Sequence, residues 1–148
     1  MDALQYLVEH RALDRLKARY FWCLDTKDWP GWIGLFTEDA TLLVDTGPYT
    51  LGRDPKPDAM IVGRKAVGDF VQNRLDPVQT VHHGHNPIFE FHSDSEASGI
   101  WAMEDIVETP QRQLHGHGHY HETYRKVDGE WRFASVHLRR LRLVTTFR

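Results

Sequence analysis

The sequence contains a single cysteine, Cys23, which excludes a disulfide framework and a cysteine-based zinc site. It has no apolar run near the roughly 18 residues of a membrane span, so we expect neither a membrane protein nor a membrane partner. It also has no excess of basic residues, since 18 Lys+Arg stand against 21 Asp+Glu and leave a formal charge of -3. Nucleic-acid binders usually carry a clear basic excess, so a nucleic-acid partner is not expected either.

Motifs for nucleotides and for secretion are missing as well. Neither GxGxxG nor a P-loop occurs, so we expect no nucleotide or flavin and a protein that works without a cofactor. The first residues, Met1-Asp2-Ala3-Leu4, lack the basic and apolar regions of a signal peptide. Together with the single cysteine, this favours a cytoplasmic location.

What the sequence does contain is enough apolar surface for one core. Its 148 residues are 41% hydrophobic and 26% charged, which predicts a single domain over residues 1–148. Aromatic residues reach 11%, which suits a cavity lined by aromatic side chains. Nine of the ten histidines lie beyond residue 80, so the second half of the chain is where chemistry is expected.

The first half of the chain is predicted to contain three helices. Residues 2–24 and 63–74 carry apolar side chains at three-to-four spacing, which is typical of amphipathic helices. A shorter helix is predicted from Trp29 onward, with Asp28 as its N-cap and Pro30 in its first turn.

The second half of the chain changes to an alternating pattern. Antiparallel strands are predicted at 80–85, 88–92, 97–108, 114–127 and 131–144. Before them, residues 40–44 favour a strand, and residues 45–62, rich in proline and glycine, favour an irregular excursion at the rim of a site. The order predicts an α+β fold, with the helices against one face of a curved antiparallel sheet.

Asp105 is the first candidate for a polar group inside this fold. On the strand over 97–108 it shares a face with Trp101 and Met103, while Glu104 lies on the opposite face. An unpaired buried carboxylate is costly, so Asp105 either pairs with a basic side chain or lines a cavity.

The alternation of side chains along the last predicted strand favours Arg140 as the basic partner of Asp105. Arg140 shares a face with Leu138. Arg139 and Arg142 lie close by, and a slip of the strand would bring either of them to that face instead.

The strand over 114–127 has two contrasting faces. Gly116, Gly118 and Tyr120 share one face, where small residues beside a tyrosine would leave room for a ligand, so Gly118 and Tyr120 are candidate substrate-binding residues. The other face carries four histidines: His115, His117, His119 and His121. Such a row can converge on a metal ion, but the sequence shows no accompanying carboxylate in a metal-binding pattern, so we expect no metal.

The histidine row is predicted to lie on the outer face of the sheet, away from the helices. Alternation in the last strand places Trp131 and Phe133 on that uncovered face as well. An exposed patch of this kind usually marks an interface, so we expect a homodimer or a higher homo-oligomer.

Three stretches, residues 19–40, 81–87 and 118–133, carry a recognisable pattern. In order and spacing they resemble the SnoaL-like proteins of the nuclear-transport-factor-2-like superfamily over nearly the whole chain. The resemblance implies a cone-shaped curved sheet with about three N-terminal helices packed on its concave face. The closest functional likenesses are scytalone dehydratase, bile-acid 7α-dehydratase and lindane dehydrochlorinase. The same fold hosts ketosteroid-isomerase-like enzymes and the β-subunits of ring-hydroxylating dioxygenases, so an isomerase and a non-catalytic subunit remain alternatives.

The resemblance also assigns residues. In the lyases of this family, an aspartate at the end of the first helix pairs with a histidine on the first long strand, and Asp25 and His82 occupy the matching positions. Tyr20 and Asp105 stand where the bile-acid enzyme carries a tyrosine and an acidic pocket residue. Tyr20 and Asp25 lie about 140° apart around an ideal helix, so they converge only if the helix ends or tightens near Leu24.

These residues together imply a cofactor-free dehydratase that acts on a small, largely apolar cyclic hydroxy-carbonyl compound. His82 would remove a proton beside the carbonyl while Asp25 fixes its tautomer. Tyr20 would donate a hydrogen bond to the carbonyl oxygen as negative charge develops. His82, or a protonated Asp105, would then return a proton to the leaving hydroxyl.

Overall fold

The computed structural model describes residues 1–48 and 59–148. Its helices are α1 (Ala3–Thr26), α2 (Trp29–Ile33) and α3 (Arg64–Leu75). Its strands are β1 (Phe36–Pro48), β2 (Ile61–Val62), β3 (Gln79–Phe91), β4 (Glu96–Glu108), β5 (Arg112–Val127) and β6 (Glu130–Phe147). The predicted α+β order is therefore confirmed. None of the described helices combines the length and the apolar character that a membrane crossing requires.

The helix ends follow from local capping. The Asp2 carboxylate accepts a hydrogen bond from the Gln5 N–H at 2.8 Å and begins α1. Lys27, with φ 64°, ends it in the left-handed conformation. Asp28 caps α2 as predicted, accepting from the Gly31 N–H at 3.0 Å. Helix α1 thus continues to Thr26, beyond the predicted end near Leu24.

The six described strands form one sheet in the order β2-β1-β6-β5-β4-β3. Neighbouring strands run antiparallel except β1 and β6, which are parallel. The helices cover one face of this sheet, where Leu13, Trp32, Phe36 and Phe133 are almost completely buried. The other face carries the row His115, His117, His119 and His121 of β5.

Two strand predictions need correction. The segment 45–62 is not wholly irregular, because β1 extends to Pro48 and β2 pairs with it through Thr41 and Leu42. The rest of that segment, residues 49–58, lies outside the described residues. The two strands expected at 80–85 and 88–92 form a single strand, β3, with a register shift between His85 and Ile88.

Trp131 and Phe133 do not lie on the outer face as predicted. They are 7% and 0% exposed, inside the core. Thr123 pairs with Ser135 and Tyr124 with Phe133, so Ala134 bulges out of the ladder and inverts the alternation before it. The bulge removes both aromatic residues from the expected subunit interface.

Candidate active site

The last turn of α1 places Asp25 against β3. His82 Nδ1 lies 2.6 Å from Asp25 Oδ1, and the His82 backbone N–H donates to Oδ2 at 2.8 Å. The Thr80 hydroxyl donates to Oδ1 at 2.9 Å and itself accepts from Lys27 Nζ at 2.9 Å. Both carboxylate oxygens are therefore held, and the pair expected from Asp25 and His82 is present. Sequence reasoning missed Thr80 and Lys27, for which only their nearness to His82 and Asp25 was a signal.

The hydrogen bonds around Asp25 define the state of the histidine ring. Burial raises the pKa of Asp25, but the hydrogen bonds and charge of His82 and the hydrogen bond from Thr80 outweigh it, so the pKa is lowered below 3.8. An ionised carboxylate only accepts hydrogen bonds, so His82 Nδ1 carries a proton, and the neutral form of the ring presents a lone pair on Nε2. The His82 side chain is only 5% exposed and lines an internal cavity.

That cavity has a volume of about 190 Å³ and lies between α1, α3 and the sheet. Apolar side chains of α1, β1, α3, β4 and β6 form most of its wall. Its polar lining residues are Tyr20, Arg74, His82, Asp105, Tyr120 and Arg140. A larger groove of about 1030 Å³ lies elsewhere, between α1, α2 and the turn before β6, and its lining includes none of these six residues. The smaller cavity is the candidate site because it holds the convergent polar groups.

Asp105 and Arg140 form an ion pair at the cavity wall. Arg140 donates to both carboxylate oxygens of Asp105, each at 2.8 Å, in a bidentate arrangement. Burial lowers the pKa of Arg140, but the hydrogen bonds and charge of Asp105 outweigh it and raise the pKa. Since both oxygens of Asp105 accept from Arg140, the geometry disfavours Asp105 as the group that protonates the leaving hydroxyl. Of the three arginines left open by the sequence, Arg140 is the one that lines the cavity.

Gly118 does not supply room for a ligand, which corrects its expected role. A Cβ at Gly118 would lie 2.1 Å from the Arg139 carbonyl oxygen, so the backbone of β6 occupies that space. A Cβ at Gly116 would lie 2.0 Å from the Arg140 guanidinium and 2.2 Å from Asp105 Oδ1. Gly116 therefore leaves room for the Asp105–Arg140 pair, and Gly118 leaves room for the backbone of β6. Neither glycine provides space for a substrate.

Tyr20 and Tyr120 both line the cavity and are 4% and 3% exposed. Burial, followed by nearby negative charges, raises the pKa of Tyr20, and burial also raises that of Tyr120, so both stay neutral phenols near pH 7. Although α1 is continuous through Tyr20 and Asp25, Tyr20 still lines the cavity. Asp25 lies behind His82 and does not itself line the cavity. Tyr20 and Asp25 need not share a face.

A buried ion pair that the sequence reasoning missed lies behind these tyrosines. Lys17 donates to Glu122, and both side chains are at most 1% exposed. Lys17 Nζ also lies 3.5 Å from the centre of the Tyr120 ring, and the Tyr124 hydroxyl donates to Glu122. Burial lowers the pKa of Lys17 to about 8, although Glu122 opposes the shift. The signal was the position of Glu122 on the same inward face as Tyr120, because a buried acid requires a partner.

Comparison with known proteins identifies the family of the chain. A family model for the SnoaL-like domain matches residues 5–137. A probable cyclase from Gibberella zeae is 28% identical over 134 residues, which cover 87% of this chain and 89% of the relative.

Solved structures show the same likeness. A candidate scytalone dehydratase from Novosphingobium aromaticivorans is 27% identical with a TM-score of 0.79, and the match covers 99% of this chain and 92% of that one. A hexachlorocyclohexane dehydrochlorinase from Novosphingobium barchaimii has 19% identity and a TM-score of 0.79, with coverage of 98% and 94%. The latter likeness concerns the fold.

Proposed function

The chain belongs to the SnoaL-like domain family, and on that premise we propose that it is a cofactor-free lyase that dehydrates a small cyclic hydroxy-carbonyl compound. The observation that carries the proposal is the Asp25–His82 pair, with Nδ1 bound at 2.6 Å and the ring lining a mainly apolar cavity. A buried histidine held in one tautomer by a carboxylate is the arrangement of a general base.

The reaction starts with proton removal. His82 Nε2 takes a proton from the carbon next to the substrate carbonyl, and the bonding electrons move toward the carbonyl oxygen as an enolate. The Tyr20 hydroxyl donates a hydrogen bond to that oxygen, which its raised pKa permits because the phenol keeps its proton. Asp25 stabilises the imidazolium formed on His82 without taking its proton.

Loss of water completes the reaction. The enolate electrons return to form a carbon–carbon double bond, the carbon–oxygen bond to the hydroxyl breaks, and protonated His82 gives its proton to the leaving hydroxide. One histidine thus serves as base and then as acid, and the enzyme returns to its starting state. Asp105 takes no proton in this scheme, because Arg140 occupies both of its oxygens.

The cavity favours a small, mainly apolar substrate with one polar end. Its volume of about 190 Å³ lies below the usual range for drug-sized ligands, which begins at about 300 Å³. Arg74, which sequence reasoning missed, lines the cavity and stacks its guanidinium 3.6 Å from the Phe70 ring centre. With Arg140 neutralised by Asp105, Arg74 supplies a positive group for a carbonyl or phenolic oxygen.

A substrate panel combined with variants tests the proposal. Cyclic β-hydroxy ketones of increasing size are incubated with the protein, and products are analysed by mass spectrometry for loss of water. On any substrate found, His82→Ala and Asp25→Asn should each lower kcat/KM by about 10²–10⁴-fold. The double variant should lose little more than either single variant, because the two residues act as a unit.

The matched control is His85→Ala, which makes the same change on the exposed side of β3 and should leave kcat/KM unaltered. Losses that multiply in the double variant would overturn the paired mechanism. A product of unchanged mass would instead identify an isomerase, which needs the same base but no leaving group.

Assembly through the outer face of the sheet stays a prediction. The correction at Trp131 and Phe133 leaves the histidine row as its main support. Light scattering at micromolar concentration should give the mass of a dimer or a larger homo-oligomer, and a monomer mass would contradict it.

A further inference from the structure

A histidine–carboxylate cluster lies on the outer face of the sheet, opposite the candidate active site. His115 and His117 stand two residues apart on β5, so their side chains share a face. Glu104 on β4 is the direct cross-strand partner of His117, and Ile106 is the partner of His115. The carboxylate that is missing beside the histidine row in the sequence is thus supplied by the neighbouring strand.

The three side chains converge on one point. One ligand atom from each lies within 4.8 Å of the other two. Glu104 Oε1 is 2.6 Å from His115 Nε2 and 3.6 Å from His117 Nε2, and the two imidazole centres are 4.7 Å apart. Two imidazole nitrogens therefore face the same carboxylate oxygen.

Hydrogen bonding accounts for His115 but leaves His117 unsatisfied. A separation of 3.6 Å is too long for a hydrogen bond from His117 Nε2. Its Nδ1 is buried and has no hydrogen-bond partner in the part of the chain that the structure describes. In the described part of the chain, His117 Nε2 thus lies beside a carboxylate and a second imidazole without a hydrogen bond of its own, which suits a cation that takes the place of the His115 proton.

We propose that Glu104, His115 and His117 bind a divalent transition ion of the Zn²⁺ class, through one carboxylate oxygen and two Nε2 atoms. Two histidines and one carboxylate form a three-ligand set that leaves a fourth tetrahedral position for water. His83 is the nearest candidate for that position, because its Nδ1 lies 3.9 Å from the other Glu104 oxygen. Binding displaces the proton between Glu104 and His115 into solvent.

The proposed site is independent of the dehydratase chemistry. It lies on the face opposite the cavity, so an ion there cannot reach a substrate beside His82. It departs from the expectation that the protein binds no metal, but it leaves the metal-free mechanism unchanged. Arg142 is the partner of His117 on β6 and puts a positive charge in the same row, which weakens the site.

Zinc binding to the untagged full-length chain tests the site. The protein is dialysed against a chelator, and Zn²⁺ is then titrated by isothermal calorimetry, with Co²⁺ absorption as a probe of tetrahedral geometry. We expect one ion per chain, with proton release detected in buffers of different ionisation enthalpy. His117→Gln and Glu104→Gln should each weaken binding by at least about 100-fold, since even the outer partners of metal ligands contribute about 10–100-fold.

Two further variants sharpen the result. His119→Gln, on the same strand and face but outside the cluster, should bind Zn²⁺ as the wild type does. Arg142→Gln should bind more tightly, because a nearby positive charge is removed. Circular dichroism of each variant checks that it is folded. Absence of binding at millimolar Zn²⁺, or equal weakening by His119→Gln and His117→Gln, would overturn the proposal.

Discussion

The two faces of β5 carry different kinds of charged and polar groups. On the inner face, Glu122 has a dedicated partner in Lys17, and Gly116 makes room for Asp105 and Arg140. On the outer face, four histidines stand in a row, and two of them share one carboxylate. The same alternation of a single strand produces both faces.

The difference shows that burial determines whether a charged side chain in this fold needs a partner. On the inner face, where an unpaired charge is costly, Glu122 pairs with Lys17 and Asp105 with Arg140. Outside, water solvates whatever the protein does not pair, so several histidines can stand side by side. A substitution on the inner face should therefore cost more stability than a matched substitution on the outer face.

The largest effect on stability is expected for the buried Lys17–Glu122 pair. Lys17→Met leaves Glu122 buried without its partner and should lower the free energy of unfolding by about 3–5 kcal/mol. The double variant Lys17→Met/Glu122→Gln removes both charges and should be less destabilised than the single variant. Urea denaturation measures both, and a double variant less stable than Lys17→Met would contradict the account.

The pair at the cavity wall should be the next most sensitive. Arg140→Lys keeps the charge but loses the bidentate geometry with Asp105, which should cost about 1.5–3 kcal/mol of unfolding free energy. Arg142→Lys makes the same change on an exposed arginine of β6 and serves as control. Equal urea midpoints for the two variants would show that the bidentate contact adds no stability.

The Asp25–His82 pair makes stability depend on pH. Because the folded pKa of Asp25 is lowered, its contribution is fully present above its usual value of 3.8 and is lost as the pH falls through the folded value. The stability difference between wild type and Asp25→Asn should therefore hold steady from pH 7 to about 4 and shrink as the pH falls below 3.8 toward the folded pKa. Urea titrations at several pH values measure it, with the exposed Asp94→Asn as control. A difference that stays constant with pH would contradict the lowered pKa.

The smallest effect is expected on the outer face. His119→Gln should change the free energy of unfolding by no more than about 0.5 kcal/mol and leave activity unchanged, because His119 is only partly buried and lies outside the core and the candidate site. Urea denaturation of His119→Gln and Lys17→Met under the same conditions compares the two faces directly. A loss above about 2 kcal/mol would mean that the outer row tolerates substitution no better than the inner face does.

Local pattern and family resemblance predicted much of this architecture from the sequence. Alternation placed Asp105 inward and His117 outward, and the resemblance selected Asp25 and His82, which the structure brings together. These predictions succeeded because they depend on neighbours within one strand or on a spacing shared by relatives.

What depends on contacts between distant strands was not predictable. Lys17 lies on the buried stripe of α1, but a lysine there is expected to be exposed until Glu122, 105 residues away, is known to face it. The bulge at Ala134, which turns Trp131 inward, has no signature in its own segment. The grouping of Glu104, His115 and His117 likewise required the register of β4 against β5.

The parallel pairing of β1 with β6 has a consequence for the order in which the chain assembles on the ribosome. Phe36 of β1 pairs with Phe133 of β6, so the edge of β1 beside β6 stays unpaired until nearly all of the domain has been synthesised. Such long-range closure slows folding and leaves an apolar strand edge open meanwhile. In the finished sheet β6 covers that edge, so β1 is protected from pairing with another chain only after β6 has been synthesised.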